Sequence, residues 1–178
     1  MRRDVATTAM LIALAIAVGI LLAPVPNVEG ISAVSFFSGV VIGWKRGALV
    51  GATSMLLLSL LNPLGPAPPP VAVAQVLGMG AIGAAGQVVR LAGTRLARLE
   101  ILVMGLGAVL TFGYDLLTNY GVAVAMGKWR DPWVVMLAGV PLGAVHVVSN
   151  AMVFAAVAAL VARKPWLALA GKLPRGKR

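Results

Sequence analysis

The chain has 178 residues, of which 60% are hydrophobic and only 11% are charged. A soluble domain carries charge on roughly a quarter of its residues, so this composition excludes a water-soluble globular protein. The net charge of +10 does not indicate a nucleic-acid partner, because the basic residues form short clusters between apolar stretches, without interleaved aromatic residues. Cysteine is absent, which excludes disulfides, thiolate metal sites and a cysteine nucleophile.

Six apolar segments predict membrane-spanning helices, since a backbone in lipid must satisfy its own hydrogen bonds. The first follows Arg2 and Arg3 as a signal peptide would, but it is too long for one and no clear small-residue cleavage site follows it. The second is short for a span, and Pro141 predicts a kink in the last. The predicted helices cover residues 5–23, 31–43, 48–61, 71–89, 101–126 and 133–162.

The predicted connections are short and contain proline or basic residues. They include a turn with two prolines, a tight basic turn, a stiff proline-rich loop, a basic connector and a last loop. In chain order they lie at 24–30, 44–47, 62–70, 90–100 and 127–132. We expect one membrane domain at 1–163 and a basic cytoplasmic tail at 164–178.

The distribution of basic residues predicts the orientation of the chain. With six spans, 13 of the 15 Lys and Arg residues fall on the side of the two termini. Cytoplasmic loops carry an excess of Lys and Arg. We therefore expect an all-α integral membrane protein, a compact bundle of six transmembrane helices with both termini in the cytoplasm.

Polar residues inside the predicted spans are candidates for a binding site, because they are costly in lipid and usually face the bundle interior. Gln75 lies in the fourth helix. Asp115 and Asn119 are four residues apart on the fifth and share a face, as do His146 and Asn150 on the sixth. Their convergence would form a pocket for a polar ligand; the alternative is hydrogen bonding between helices. Asp115 is the strongest candidate because it is ionisable.

Four further candidates adjoin these positions. Asn27 and Glu29 follow the first helix, Asn62 begins the proline-rich loop, and Tyr114 precedes Asp115. Stiff segments at the mouth of a bundle suit a lidded pocket, but they are equally suited to be tight connectors. The sequence leaves both interpretations open.

Residue types that could form a catalytic site are present, but their spacing does not match a known catalytic motif. Asp115, His146 and Ser149 are the types found in a triad, yet His146 and Ser149 are three apart on one helix, and no G-x-S-x-G motif occurs. Neither H-E-x-x-H nor a P-loop is present. We expect a protein that is not an enzyme, with a small membrane enzyme acting on a lipid through Asp115 and His146 as the alternative.

Small residues form a stripe on the first helix. Ala9, Ala13 and Ala17 recur at every fourth position, a spacing that lets another helix approach closely. The stripe serves either packing within the bundle or docking of a partner subunit. A structural subunit of a membrane assembly is therefore a further alternative.

Several short motifs occur in a fixed order along most of the chain. They are Pro26-Asn27-Val28-Glu29 and the segments 43–51, 62–66, 74–79, 114–119 and 146–150. In these motifs the chain resembles the substrate-binding S components of energy-coupling factor (ECF) transporters, bacterial importers of vitamins and related micronutrients.

The resemblance implies a multi-pass protein of the prokaryotic cytoplasmic membrane that binds a vitamin-like molecule near the outer surface, under the loops after helices one, three and five. It implies no catalysis and no cofactor. A membrane coupling subunit, docked on Ala9–Ala13 or Ala13–Ala17, and two cytoplasmic ATPases would be the partners. Within the family, the P-N-[VI]-E and N-P-x-G-P patterns are similar to those of members associated with cobalamin or with an unassigned ligand.

Overall fold

The computed structural model describes residues 2–62, 65–92 and 96–162. These ranges contain six α-helices and no strand. The helices are α1 (Arg2–Leu22), α2 (Ile31–Ile42), α3 (Trp44–Leu61), α4 (Pro69–Ala92), α5 (Leu96–Ala125) and α6 (Trp133–Ala162). The tail predicted at 164–178 lies outside the described residues.

Four of the helices are long and apolar enough to cross a membrane. Large apolar side chains also cover the outside of the bundle, including Leu21 at 76%, Met10 at 72% and Leu137 at 69% exposure. Such a surface is unfavourable in water but not in contact with lipid. The architecture is that of a multi-pass helical membrane protein. The four candidate spans are Asp4–Leu22, Pro69–Leu91, Glu100–Ala125 and Trp133–Ala159.

The short helix α2 lies inside the bundle. Its 12 residues extend about 18 Å, less than the roughly 30 Å of bilayer hydrocarbon. Ile31, Ala33 and Phe36 are almost completely buried, because α2 contacts α1, α3, α4 and α6. Shielding by its neighbours therefore accounts for a helix too short to span alone.

Two predicted connections are wrong in extent. The basic turn predicted at 44–47 is the first turn of α3, and Gly43 alone separates α2 from α3 with φ of 88°. Glycine adopts this conformation without steric cost, so α3 begins directly after Gly43. The connector predicted at 90–100 is also mostly helical, since α4 continues to Ala92 and α5 begins at Leu96.

Glycines bring the backbones of α2, α3 and α4 into direct contact. A Cβ atom on Gly39 or on Gly47 would overlap the carbonyl group of Gly83, and one on Gly86 would overlap that of Phe36. We call Gly39, Gly47, Gly83 and Gly86 the glycine seam. It fixes these three helices against one another at backbone distance.

The remaining packing leaves room at one end of the bundle. The pairs α3–α4 and α5–α6 pack most extensively, α4 also packs on α5, and α2 makes limited contact with α6. In the core, the rings of Phe36 on α2 and Phe154 on α6 lie 5.1 Å apart. Away from this contact, a space remains between the α1–α2 connection and α6.

Candidate functional site

A cavity of about 480 Å³ lies where α1, α3 and α5 end and α2, α4 and α6 begin. Its volume falls within the range of small-molecule sites, roughly 300–1,000 Å³. Apolar side chains, such as Ile31, Leu58 and Leu142, form part of the wall. Eight of the nine residues predicted to bind a ligand line the rest: Asn27, Glu29, Asn62, Gln75, Tyr114, Asp115, Asn119 and His146.

A histidine between two carboxylates forms the most polar part of the wall. His146 Nδ1 lies 2.6 Å from Asp115 Oδ1 and its Nε2 lies 3.3 Å from Glu29 Oε1. The ring is buried and meets the edge of the Tyr114 ring at a centroid distance of 6.1 Å. We call Glu29, Asp115 and His146 the carboxylate–histidine cluster. It joins α5, α6 and the α1–α2 connection at one point.

One histidine does not satisfy both carboxylates. Glu29 Oε1 and Asp115 Oδ2 are buried, and neither accepts a hydrogen bond from the described residues. Glu29 Oε1 is within ion-pair distance of His146 Nε2, so one imidazole ring stands between the two carboxylates. Buried acceptors are nearly always hydrogen-bonded in proteins. Both carboxylates therefore keep hydrogen-bonding capacity that the described residues do not use.

The connection between α1 and α2 is tied to α6 by its backbone. Asn27 adopts a left-handed conformation with φ of 56°, which asparagine tolerates better than most residues. Its carbonyl oxygen accepts a hydrogen bond of 2.7 Å from Ser149 Oγ. This bond holds the segment over α6 and places Glu29 against His146.

The remaining predicted residues of the wall differ in their surroundings. Gln75 Oε1 accepts a hydrogen bond of 3.1 Å from Ser59 Oγ. The Tyr114 hydroxyl lies 3.8 Å from Met55 Sδ. Asn62 is exposed just after the end of α3. Together they extend the polar lining from the cluster to the mouth of the cavity.

Asn150 is the one predicted ligand-binding residue that does not line the cavity. It is completely buried, donates to Thr111 Oγ1 at 3.2 Å and accepts from Ser32 Oγ at 3.3 Å. It therefore links α2, α5 and α6 beneath the cavity. Its contacts are those of a structural residue.

Sequence reasoning missed two glycines of the wall. Gly139 and Gly143 lie four residues apart on α6 and face Asn119 and Asp115; a Cβ on Gly143 would lie 3.3 Å from Asp115 Oδ2. Their spacing, the same as in the alanine stripe, is the signal that could have found them. They also line, with Asp115 and Asn119, a largely apolar second cavity of about 370 Å³ between α5 and α6.

The three triad residue types do not form a triad. Ser149 Oγ donates to the carbonyl oxygens of Asn27 and His146, at 2.7 and 3.0 Å, instead of to the imidazole ring. In the part of the chain that the structure describes, no group of three His, Asp or Glu side chains is arranged to hold a metal ion.

The alanine stripe faces away from the bundle. Ala9, Ala13 and Ala17 are all exposed, whereas Ala15 between them is completely buried. Contacts within the described chain therefore do not account for the stripe, and the face is free to meet another helix.

No protein-family model matches the chain, and comparisons with curated proteins and with solved structures find no match either. What the cavity can bind follows from its lining. Carboxylate, amide and hydroxyl groups alternate there with aliphatic side chains, and no Lys or Arg is among them. Such a lining suits a small polar molecule held by hydrogen bonds.

Proposed function

We propose that this protein is a membrane-embedded binding subunit that captures a vitamin-like small molecule and delivers it to a transport complex, as the S components of ECF transporters do. One observation supports this most directly: eight polar side chains from separate parts of the chain converge on one cavity of about 480 Å³. Scattered polar residues serving only helix packing would pair with one another, as Asn150 does, instead of lining a common space.

In this proposal all six helices cross the bilayer and the cavity faces the exterior. The basic residues support that orientation. Lys45, Arg46 and Arg90 lie at the end of the bundle opposite to the cavity, where Arg46 pairs with Asp4 at 3.1 Å and Arg90 donates to the Val41 carbonyl. Positively charged ends remain in the cytoplasm, so the cavity would open outward.

Transport would require partners. The chain has no P-loop, so two cytoplasmic ATPases would supply the energy through a membrane coupling subunit. The exposed stripe of Ala9, Ala13 and Ala17 is the surface that we assign to that subunit. The cavity volume favours a ligand smaller than a corrinoid, which would have to project from the mouth.

Mass spectrometry of the protein, purified gently from a bacterial membrane, tests the proposal. We expect a stoichiometric small molecule that is lost in Asn119→Ala and retained in Glu100→Gln, which alters an exposed carboxylate outside the cavity. An empty protein that binds no vitamin by calorimetry would contradict the proposal.

A membrane enzyme acting on a lipid is the second candidate, and one observation favours it. Asp115 lines both the polar cavity and the apolar cavity of about 370 Å³ between α5 and α6, which could accept an acyl chain. Asp115 and His146 would then act as acid and base. Turnover of labelled membrane lipids that Asp115→Asn abolishes would support this candidate, whereas binding without turnover would support the first.

A further inference from the structure

The cavity has a charge opposite to that of the chain. The protein has 15 Lys and Arg against five Asp and Glu, yet the wall contains Glu29 and Asp115 and no Lys or Arg. His146 can offset at most one of the two negative charges. The wall therefore holds more acidic than basic groups, and an acidic wall in low dielectric favours cations over anions.

The unused acceptors lie on both sides of the same ring. His146 contacts Asp115 Oδ1 through Nδ1 at 2.6 Å and Glu29 Oε1 through Nε2 at 3.3 Å. The second contact is an ion pair, and neither Glu29 Oε1 nor Asp115 Oδ2 accepts a hydrogen bond from the described residues. A carboxylate can only accept hydrogen bonds. A ligand group that satisfies these atoms must therefore be a donor, and a charged donor forms the stronger bond.

We propose that the ligand is an organic cation whose protonated nitrogen, an ammonium, amidinium or guanidinium group, pairs with the carboxylates of Glu29 and Asp115. The ligand class rests on the proposed function, because it concerns the occupant of the same cavity. A carboxylate or phosphate ligand would place like charges together in this part of the wall. The aliphatic part of the cavity, with Leu58 and Leu142, would hold the remainder of the molecule.

Three probes of nearly equal shape test the charge of the ligand: benzamidine, which is a cation at neutral pH, benzamide, which is neutral, and benzoate, which is an anion. Binding to the purified protein in detergent is measured by calorimetry. We expect benzamidine to bind about tenfold or more tightly than benzamide, the ratio that one hydrogen bond to a charged group confers. We expect no binding of benzoate.

Substitutions show whether the preference originates in the cluster. Glu29→Gln and Asp115→Asn should each reduce the preference for benzamidine over benzamide by about tenfold, since each removes one charged acceptor. Glu100→Gln, an exposed carboxylate elsewhere on α5, should leave it unchanged. Because Asp115→Asn lies in the bundle and could impair folding, Glu29→Gln in the α1–α2 connection provides an independent test.

The outcomes separate the ligand class from the proposed function. Equal binding of the three probes, tighter binding of benzoate, or no binding of benzamidine at millimolar concentration would overturn the cationic ligand. A copurified anionic vitamin would do the same while leaving the binding subunit intact. A protein that contains no ligand and binds no vitamin contradicts the proposed function itself.

Discussion

His146 and Asn150 lie one helical turn apart on α6 and have different surroundings. His146 faces the cavity and contacts Asp115 and Glu29. Asn150 lies deeper and completes a chain of hydrogen bonds from Ser32 to Thr111. Four residues advance a helix by about 6 Å, which separates the wall of the site from the packed interior beneath it.

Asn150→Ala should therefore affect stability and leave binding intact. The substitution leaves the Ser32 and Thr111 hydroxyls without their partner. Hydrogen bonds between membrane helices contribute about 0.6–2 kcal/mol each, so we expect the free energy of unfolding to fall by about 1–3 kcal/mol. Unfolding in detergent micelles, monitored by circular dichroism, measures this change in free energy.

Asn119→Ala is the matched control for that experiment. Asn119 lies in the cavity wall and is partly exposed, so its removal should change stability less while weakening ligand binding. If Asn150→Ala abolished binding at unchanged stability, Asn150 would be a ligand contact after all, and its structural assignment would be wrong.

At the scale of the elements, the glycine seam predicts where the bundle tolerates no side chain. Gly83→Ala places a Cβ against the carbonyl group of Gly47, and overpacking of this kind costs about 1–3 kcal/mol. Gly105→Ala on α5 meets no atom within 4 Å and should leave stability unchanged or slightly higher. Thermal unfolding of both variants in one detergent gives the comparison. Equal melting temperatures would show that α2, α3 and α4 do not approach at backbone distance.

Two alanines of α1, the exposed Ala13 and the buried Ala15, should respond in opposite ways to a larger side chain. Ala13→Leu adds an exposed side chain and should change stability by less than about 0.5 kcal/mol, with ligand binding intact. If the stripe has the docking role that we propose, the substitution should also disrupt association with a coupling subunit and stop transport. Ala15→Leu adds volume at a completely buried position and should lower stability by about 1–3 kcal/mol. Copurification of partner subunits and unfolding in detergent separate the two effects.

If Ala13→Leu unfolded the protein, the stripe would serve packing within the chain. If it broke a complex that transports nothing, the protein would be a structural subunit of a membrane assembly. Retained transport in Ala13→Leu would exclude this face as the docking surface.

Hydropathy predicted all six helices. It predicted the end of a helix correctly only where the apolar segment and the helix end at the same residue. The prediction for the last helix, 133–162, agrees with α6. The predicted connector at 90–100 was wrong because a helix can continue beyond the apolar segment into charged residues. Arginine is a good helix former. The predicted turn at Trp44 was wrong because a single glycine with positive φ can separate two helices. Such a break needs no run of polar residues, so hydropathy does not reveal it.

The grouping of candidate side chains was predictable to a similar extent. Spacing by four placed Asp115 with Asn119 on one face, and both line the cavity. The same spacing grouped His146 with Asn150, whose contacts differ, because periodicity gives the direction of a side chain but not the depth at which a neighbouring helix meets it. The unused capacity of Glu29 and Asp115 depends on distances between segments 86 residues apart, which no local pattern contains.

For the whole molecule, the orientation in the membrane can be tested directly because the chain lacks cysteine. Lys128, in the α5–α6 connection, and Lys45, near the start of α3, are both exposed. In intact cells, we expect a membrane-impermeant maleimide to label Lys128→Cys and not Lys45→Cys, since the basic end of the bundle, to which Lys45 belongs, should face the cytoplasm. After the cells are permeabilised, both variants should be labelled.

The reverse pattern of labelling would place both termini outside the cell. Labelling of both positions in intact cells would contradict a bundle whose two ends lie on opposite sides of the bilayer. Either result would also remove the argument that the cavity opens outward.

The contact between Asp115 and His146 has a consequence for biogenesis. Asp115 lies ten residues before the end of α5, about 15 Å along the helix axis, which is roughly half the thickness of bilayer hydrocarbon. An aspartate at the centre of a membrane span costs about 2.5–3.5 kcal/mol on insertion. Because its partner is on the next helix and their atoms meet at 2.6 Å, we expect insertion of α5 and α6 together, as a hairpin, to lower that cost.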